Sequence, residues 1–350
     1  MSNKVTKDGS CGDSLYAVSQ VSHLPDGSAG KTPQTPGQLT LASMAFWGFL
    51  TTQFLGAFND NYFKQMVLLI CASNVAVVAG KGAANPDRQS LAMAAFALPF
   101  VLLSGLGGYM SDRFSKQYVI IGSKMAEIVI MAIAFVVLLI PGLSADAQLI
   151  WLISVLFLMG GQSAIFGPSK YGILPELFRS DKLLPVNGAV QMTTFLAIIA
   201  GTVCAGMALD LIREFLWIGS AIAVGIAIAG TVTSCFVPRT AEPNLKIRLE
   251  NSAIPTDVAR LVFRERGLLK AVLVAAVFWF LGGVTQMAVN TLGKSSMGLS
   301  STRTSLLVAA IGFGIAAGCA ITGLLGGKGN GSRWVTSGAW LLLISLSLVA

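Results

Sequence analysis

Residues 54–66 read FLGAFNDNYFKQM and place an aspartate, two asparagines and a lysine inside one of the longest apolar runs of the chain. Treated as helix, Gln53, Ala57, Asp60 and Lys64 follow an i, i+4, i+7, i+11 spacing and share one face, so Asp60 and Lys64 are placed to pair across one turn. An ionised group at membrane depth is costly unless it faces a bundle interior or a wet cavity, and by default it marks a substrate or ion pathway. Asp60, Asn61 and Lys64 are therefore candidates for binding a polar ligand, with Asp60 alternatively holding a proton or cation. The competing reading ends the helix near Phe58 and makes NDNYFKQ an outer loop, which leaves a span of about 16 residues, slightly short for a bilayer.

What must position such groups is a set of membrane helices. The 350-residue chain is 54% hydrophobic and 11% charged, with a mean hydropathy of +0.73, outside the range of soluble domains. A spanning helix needs roughly 20 apolar residues, and nine stretches qualify: 43–70, 91–111, 118–140, 148–168, 188–210, 215–237, 269–292, 304–326 and 334–350. They are continuous and rich in Leu, Ala, Ile and Gly, which argues for helices and against the alternating strands of a barrel. The expected fold class is an all-α polytopic membrane protein.

A net charge of +8 does not indicate nucleic acid here, because the basic residues are dispersed between apolar runs. With a cytoplasmic amino terminus, inside segments carry 17 of the 24 Lys and Arg, outside loops carry 5, and Lys64 and Lys124 fall within helices. That asymmetry fits the positive-inside rule. Residues 1–42 are polar with no early apolar stretch, so a disordered cytoplasmic tail is expected and not a cleaved signal peptide. Cys11, Cys71, Cys204, Cys235 and Cys319 form no CxxC pair and are read as packing residues, with no metal and no cofactor.

The sixth apolar stretch ends at Pro238, and residues 238–268 form a basic cytoplasmic linker. A six-helix half over 43–237, a linker and a second set of helices over 269–350 is the plan of transporters built from two similar halves. Two echoes support a repeat: FLGAFNDN at 54–61 with FLGGVTQM at 280–287, which aligns Asp60 with Gln286, and GLGGYMSDR at 105–113 with GLLGGKGNG at 323–331. The ninth run has no polar end, so the second half is read as incomplete, part of a twelve-helix parent met either as a shortened product or as a fragment of a longer fusion.

Two further motifs lie on the inner side. In GGYMSDRFSKQ, residues 107–117, Gly108 is expected to allow close helix approach, Asp112 to cap the third helix, and Arg113 and Lys116 to pair with carboxylates or lipid phosphates. In FGPSKYGILPELFRSDKLLPVNG, residues 166–188, Pro168 and Pro175 are expected to set bends while Lys170 and Glu176 bring charge to the inner mouth.

The form G-x-x-x-D-R-x-x-K between the second and third helices resembles the signature of the major facilitator superfamily. FLGAFNDN, GYMSDRF and GPSKYGILPEL…VNG, in this order, closely resemble the bacterial lysophospholipid transporter family within it, most clearly over residues 50–190. The resemblance implies a flippase carrying lysophosphatidylethanolamine and related lysolipids to the inner leaflet of the cytoplasmic membrane. There an acyltransferase and acyl-carrier-protein synthetase system, fused downstream in some bacteria, reacylates them. It assigns Asp60 and Asn61 to the family's acidic motif, Asp112 and Arg113 to its inner-loop motif, and Lys170, Tyr171 and Gly172 to its KYG turn, with Asn187 in the closing VNG. The pattern departs at GVTQMAVN: the family places a basic residue just after GVT, where this chain has Met287, and Gln286 and Asn290 supply only neutral polar groups.

The expected mechanism is alternating access around a cavity lined by helices one, four and seven, with Asp60, Asn61, Gln286 and Asn290 on the headgroup. Acyl transfer is not expected of this chain: His23 lacks an Asp five residues later, and in PDGSAGKT at 25–32 a proline stands where a phosphate loop needs its first glycine. The alternatives are a permease or efflux carrier for a small solute or drug, and a membrane scaffold for a downstream acyltransferase.

Overall fold

A membrane-spanning backbone must satisfy its own hydrogen bonds, which favours long uninterrupted helices. The computed structural model describes residues 43–79, 88–212, 215–240, 256–325 and 331–349. The amino-terminal tail, with Cys11 and His23, residues 241–255 of the linker and most of GLLGGKGNG lie outside them. Among the described residues there are helices and no strands. In chain order they are α1 (Met44–Ala79), α2 (Arg88–Arg113), α3 (Lys116–Leu139), α4 (Ala145–Gly172), α5 (Leu174–Leu177), α6 (Leu183–Leu211), α7 (Leu216–Ser234), α8 (Thr256–Arg264), α9 (Arg266–Thr291), α10 (Ser301–Leu325) and α11 (Gly331–Val349).

A long helix occupies each expected apolar stretch, and among the described residues seven helices are long and apolar enough to cross a membrane. α1 is the longest helix, with 36 residues. α11 runs over Gly331–Val349 and includes the apolar segment Val335–Ser345. α1 also passes unbroken through FLGAFNDNYFKQM, which removes the reading that ends it near Phe58. Pro168 lies inside α4 and not at its end, and Pro175 sits in the first turn of α5, where its missing N–H costs nothing.

α1 packs on α6 and α7, α2 on α4, α3 on α4 and α7, and α6 on α10. Small residues decide these approaches, as expected where lipid and side chain are equally apolar. A Cβ on Gly107 would lie 2.6 Å from the Ala164 carbonyl oxygen, and one on Gly201 would lie 2.5 Å from that of Phe58. Gly107, not Gly108, therefore sets the α2–α4 contact; Gly108 has open space around it. One apolar cluster joins Phe63, Met66, Met131, Leu156 and Ala227, and a second joins Phe46, Phe49, Ile120, Ile173 and Val190 nearer the start of α1. Between these clusters α1 carries its polar residues.

Candidate functional site

The polar turn of α1 is held from three sides. Ser163 Oγ of α4 donates to Asp60 Oδ2 at 2.6 Å, while Asp60 Oδ1 is buried and has no hydrogen-bond partner among the described residues. Lys64 Nζ donates to Asn61 Oδ1 at 3.0 Å and lies 5.2 Å from the Phe96 ring centre on α2, so its near partner is Asn61 and not Asp60. About two turns earlier Gln53 is buried against α6, donating to Val190 O and Thr193 Oγ1 and accepting from Thr194 Oγ1 at 2.8 Å. The face predicted from the i, i+4, i+7 spacing thus packs against α6, α4 and α2.

Behind that face stands a buried ion pair. Lys124 Nζ and Glu127 Oε2 on α3 are 2.5 Å apart, with side chains only 1% and 2% exposed. Glu127 Oε1 accepts from Asn59 Nδ2 at 2.7 Å, which ties the pair to the residue next to Asp60. Lys124 reaches α1 through the notch left by Gly56, where any Cβ would collide with its Nζ, and its ammonium lies 5.3 Å from the Phe166 ring centre. Lys170 of α4 is buried and donates to Thr194 Oγ1 at 3.0 Å, and Tyr171 OH donates to Gln191 Oε1 at 2.9 Å. The charges of Glu127, Lys124 and Lys64 all act on Asp60, and those of Asp60 and Lys124 on Lys170. Three lysines, Lys64, Lys124 and Lys170, thus stand around two carboxylates, Asp60 and Glu127, a formal surplus of one positive charge.

Gln286 and Asn290 stand elsewhere. Both meet Gln65 of α1: Gln286 Nε2 donates to Gln65 Oε1 at 3.0 Å, and Gln65 Nε2 donates to Asn290 Oδ1 at 2.9 Å and to Ser305 Oγ at 3.3 Å. Close by in the sequence, Gln89 Nε2 of α2 donates to Thr291 Oγ1 at 2.7 Å. Asp210, at the end of α6, caps α10 by accepting from the N–H groups of Ser301 and Thr302 at 2.9 and 2.8 Å and from Thr302 Oγ1 at 2.7 Å. These contacts join the second half of α1 and the last turns of α6 and α9 to the starts of α2 and α10. α9 itself is exposed from Arg266 to Phe280 apart from the half-buried Leu269, and becomes partly covered only from Leu281 onward. The bundle is closed at one end.

At the opposite end the inner-loop motif is only partly as expected. Asp112 is exposed in the last turn of α2, and the residue preceding α3 is Ser115, so Asp112 does not cap that helix. The chain runs from α2 into α3 so abruptly that only Ser115, three residues later, reaches the cap position. Lys116 forms an ion pair with Glu176 of α5, and a Cβ on Gly172 would sit 2.9 Å from Lys116 Cε, so the KYG glycine makes room for this link. Ser115 meets Thr240 at 3.2 Å, and Gln117 Nε2 donates to Val237 O at 2.6 Å. Asn187 Nδ2 donates to Leu183 O within α6.

The sequence profile of the Major Facilitator Superfamily matches residues 39–350. The chain belongs to the Major Facilitator Superfamily. It is a multi-pass membrane protein of that transporter class. Among curated members it is 24% identical over 314 residues to the Lysophospholipid transporter LplT of Serratia proteamaculans (strain 568), covering 87% of this chain and 69% of that protein. To the Lysophospholipid transporter LplT of Photorhabdus laumondii subsp. laumondii it is 27% identical over 278 residues, covering 77% and 64%. The chain thus spans about two-thirds of the length of these relatives. A crystal structure of the peptide transporter POT in complex with sulfate aligns with a TM-score of 0.45 and 18% identity, over 73% of this chain and 52% of its own, a likeness too slight to carry an argument.

Within this superfamily chain the residues that sequence reasoning left out are Asn59, Lys124, Glu127, Ser163, Thr194, Gln65 and Asp210. Lys124 and Glu127 carried a readable signal, two ionisable groups at i and i+3 in an apolar run. Ser163 and Thr194 carried none, because hydroxyl residues are common in membrane helices and only their neighbours give them a role.

Proposed function

We propose that this chain forms part of a lysophospholipid flippase of the bacterial inner membrane, moving lysophosphatidylethanolamine-type lipids to the inner leaflet by alternating access. The observation that carries the reading is the gathering of Asp60, Lys64, Lys124, Glu127 and Lys170 on α1, α3 and α4 between apolar clusters. A site with opposite charges side by side and a surplus of one positive charge suits a zwitterionic or anionic phosphate headgroup, and the apolar flanks suit an acyl chain. The name of the relatives, lysophospholipid transporter, points the same way.

In this reading Asp60 and Asn61 receive the headgroup and Lys170 its phosphate, while Lys124 and Glu127 hold the α1 turn in place. Residues 43–237 and 269–350 act as the two moving bodies, joined by the linker 238–268. With the amino terminus cytoplasmic, the closed end is the outer face, and Asp112, Arg113, Lys116 and Glu176 belong to the inner switch. An acyltransferase with acyl-carrier-protein synthetase is the partner that consumes the product.

The test is internalisation of labelled lysophosphatidylethanolamine by spheroplasts that lack their own transporter and express this chain or a form extended to the length of its relatives. Uptake lost on Asp60→Asn, with the protein still in the membrane, supports the reading. No uptake by either form overturns it, and uptake of soluble compounds alone moves the chain to the permeases.

A further inference from the structure

α8 is a nine-residue helix, Thr256–Arg264, that plays no part in the site above. Arg260 and Arg264 are one turn apart and share a face, while Leu261, Val262 and Phe263 occupy the remaining arc. Leu261 is 52% and Phe263 75% exposed, so the apolar arc has almost no cover among the described residues. Helices with this division lie in the plane of a membrane surface when they are short, basic on one side and apolar on the other.

What covers the arc is constrained by the joint to α9. Glu265 alone separates the two helices; its backbone is extended, its N–H bonds Leu261 O at 2.9 Å, and its carbonyl accepts from Leu269 N at 3.0 Å. α9 is a spanning helix with exposed Val272, Leu273 and Val274 a short way in, so its first residue stands where hydrocarbon gives way to headgroups. One residue cannot carry α8 far from that level, and at about 1.5 Å per residue α8 is only about 14 Å long. Arg260, Arg264, Arg266 and Lys270 are all exposed around this joint, against the two carboxylates Asp257 and Glu265 in residues 256–270.

We infer that α8 is an interfacial anchor: Leu261 and Phe263 enter the acyl boundary of the leaflet where α9 begins, and Arg260 and Arg264 bind the phosphates of anionic lipids there. Six spanning helices separate residue 43 from α8, which puts this surface on the same side as the start of α1. The anchor fixes the end of α9 that is otherwise uncovered, and so gives the second body a footing on the lipid surface.

The experiment uses the full chain with its cysteines replaced by serine and one new cysteine, Phe263→Cys, carrying an environment-sensitive fluorophore, in vesicles of phosphatidylcholine alone or with phosphatidylglycerol. A label at Val277→Cys in the middle of α9 reports insertion, so that a misfolded preparation is recognised and discarded. The expected result is quenching of the 263 label by doxyl lipids and protection from aqueous iodide, stronger with phosphatidylglycerol. Arg260→Gln and Arg264→Gln should each weaken the phosphatidylglycerol-dependent part about fivefold. Free quenching by iodide, or protection from both quenchers as under a protein partner, overturns the inference. Neither readout involves transport, so it stands or falls apart from the proposed substrate.

Discussion

At the scale of residues, the buried pair of Lys124 and Glu127 separates structure from function. Removing one partner leaves an uncompensated charge at low dielectric, whereas removing both leaves an apolar pocket that neighbours can fill. Glu127→Ala should therefore cost about 3–5 kcal/mol, and Lys124→Met combined with Glu127→Leu should recover most of it. Thermal unfolding of the purified protein in detergent, followed with a thiol-reactive dye, reads both; equal losses in the single and double variants would count against a compensated pair. Asp60 differs in kind. Its Oδ1 has no hydrogen-bond partner among the described residues, so Asp60→Asn should leave the unfolding temperature within a few degrees while abolishing transport. A large loss of stability would make Asp60 a structural residue.

Among the elements, close approach between helices turns on glycines at particular places. Gly201 lets α1 and α6 meet backbone to backbone, and Gly107 does the same for α2 and α4. Gly201→Val and Gly107→Val should each cost about 1–3 kcal/mol through overpacking, while Gly108→Ala, with nothing within 4 Å, should be neutral. Yield and unfolding temperature of the three variants check the ranking. From the sequence the close approach was expected at Gly108, and it is the packing of α4 that gives it to Gly107 instead. The helices themselves were legible from apolar runs alone, because a bilayer admits few other folds for such a composition. The paths of the polar side chains were not: Lys64 meets Asn61 in place of Asp60, and Asp112 stays in the last turn of α2 while Ser115 precedes α3.

For the whole molecule, one end is held shut by neutral amides and one carboxylate. Gln65, Gln286 and Asn290 form a hydrogen-bonded group, and Asp210 holds the first N–H groups of α10. Loss of an N-terminal helix cap costs about 1 kcal/mol, enough to change a two-state ratio about fivefold. Asp210→Ala should therefore raise the reactivity of a cysteine engineered at Thr291 toward a membrane-impermeant maleimide, and adding Gln65→Leu should raise it further. Unchanged labelling in the double variant would mean that these contacts do not decide the balance between states.

The sequence by itself determined the membrane class, the positions of the long helices and the location of one polar turn that lipid could not tolerate unaided. These follow from composition and from periodicity along a single helix, which are local properties. The tertiary structure alone decided which polar residues share a site. It brought Asn59 and Asp60 to Glu127 and Ser163, gave Gln286 and Asn290 to the closed end, and set Lys116 against Glu176. The reason is that a buried polar group takes the partner that the packing of apolar surfaces and glycine notches places within reach, and that packing is a property of several helices at once.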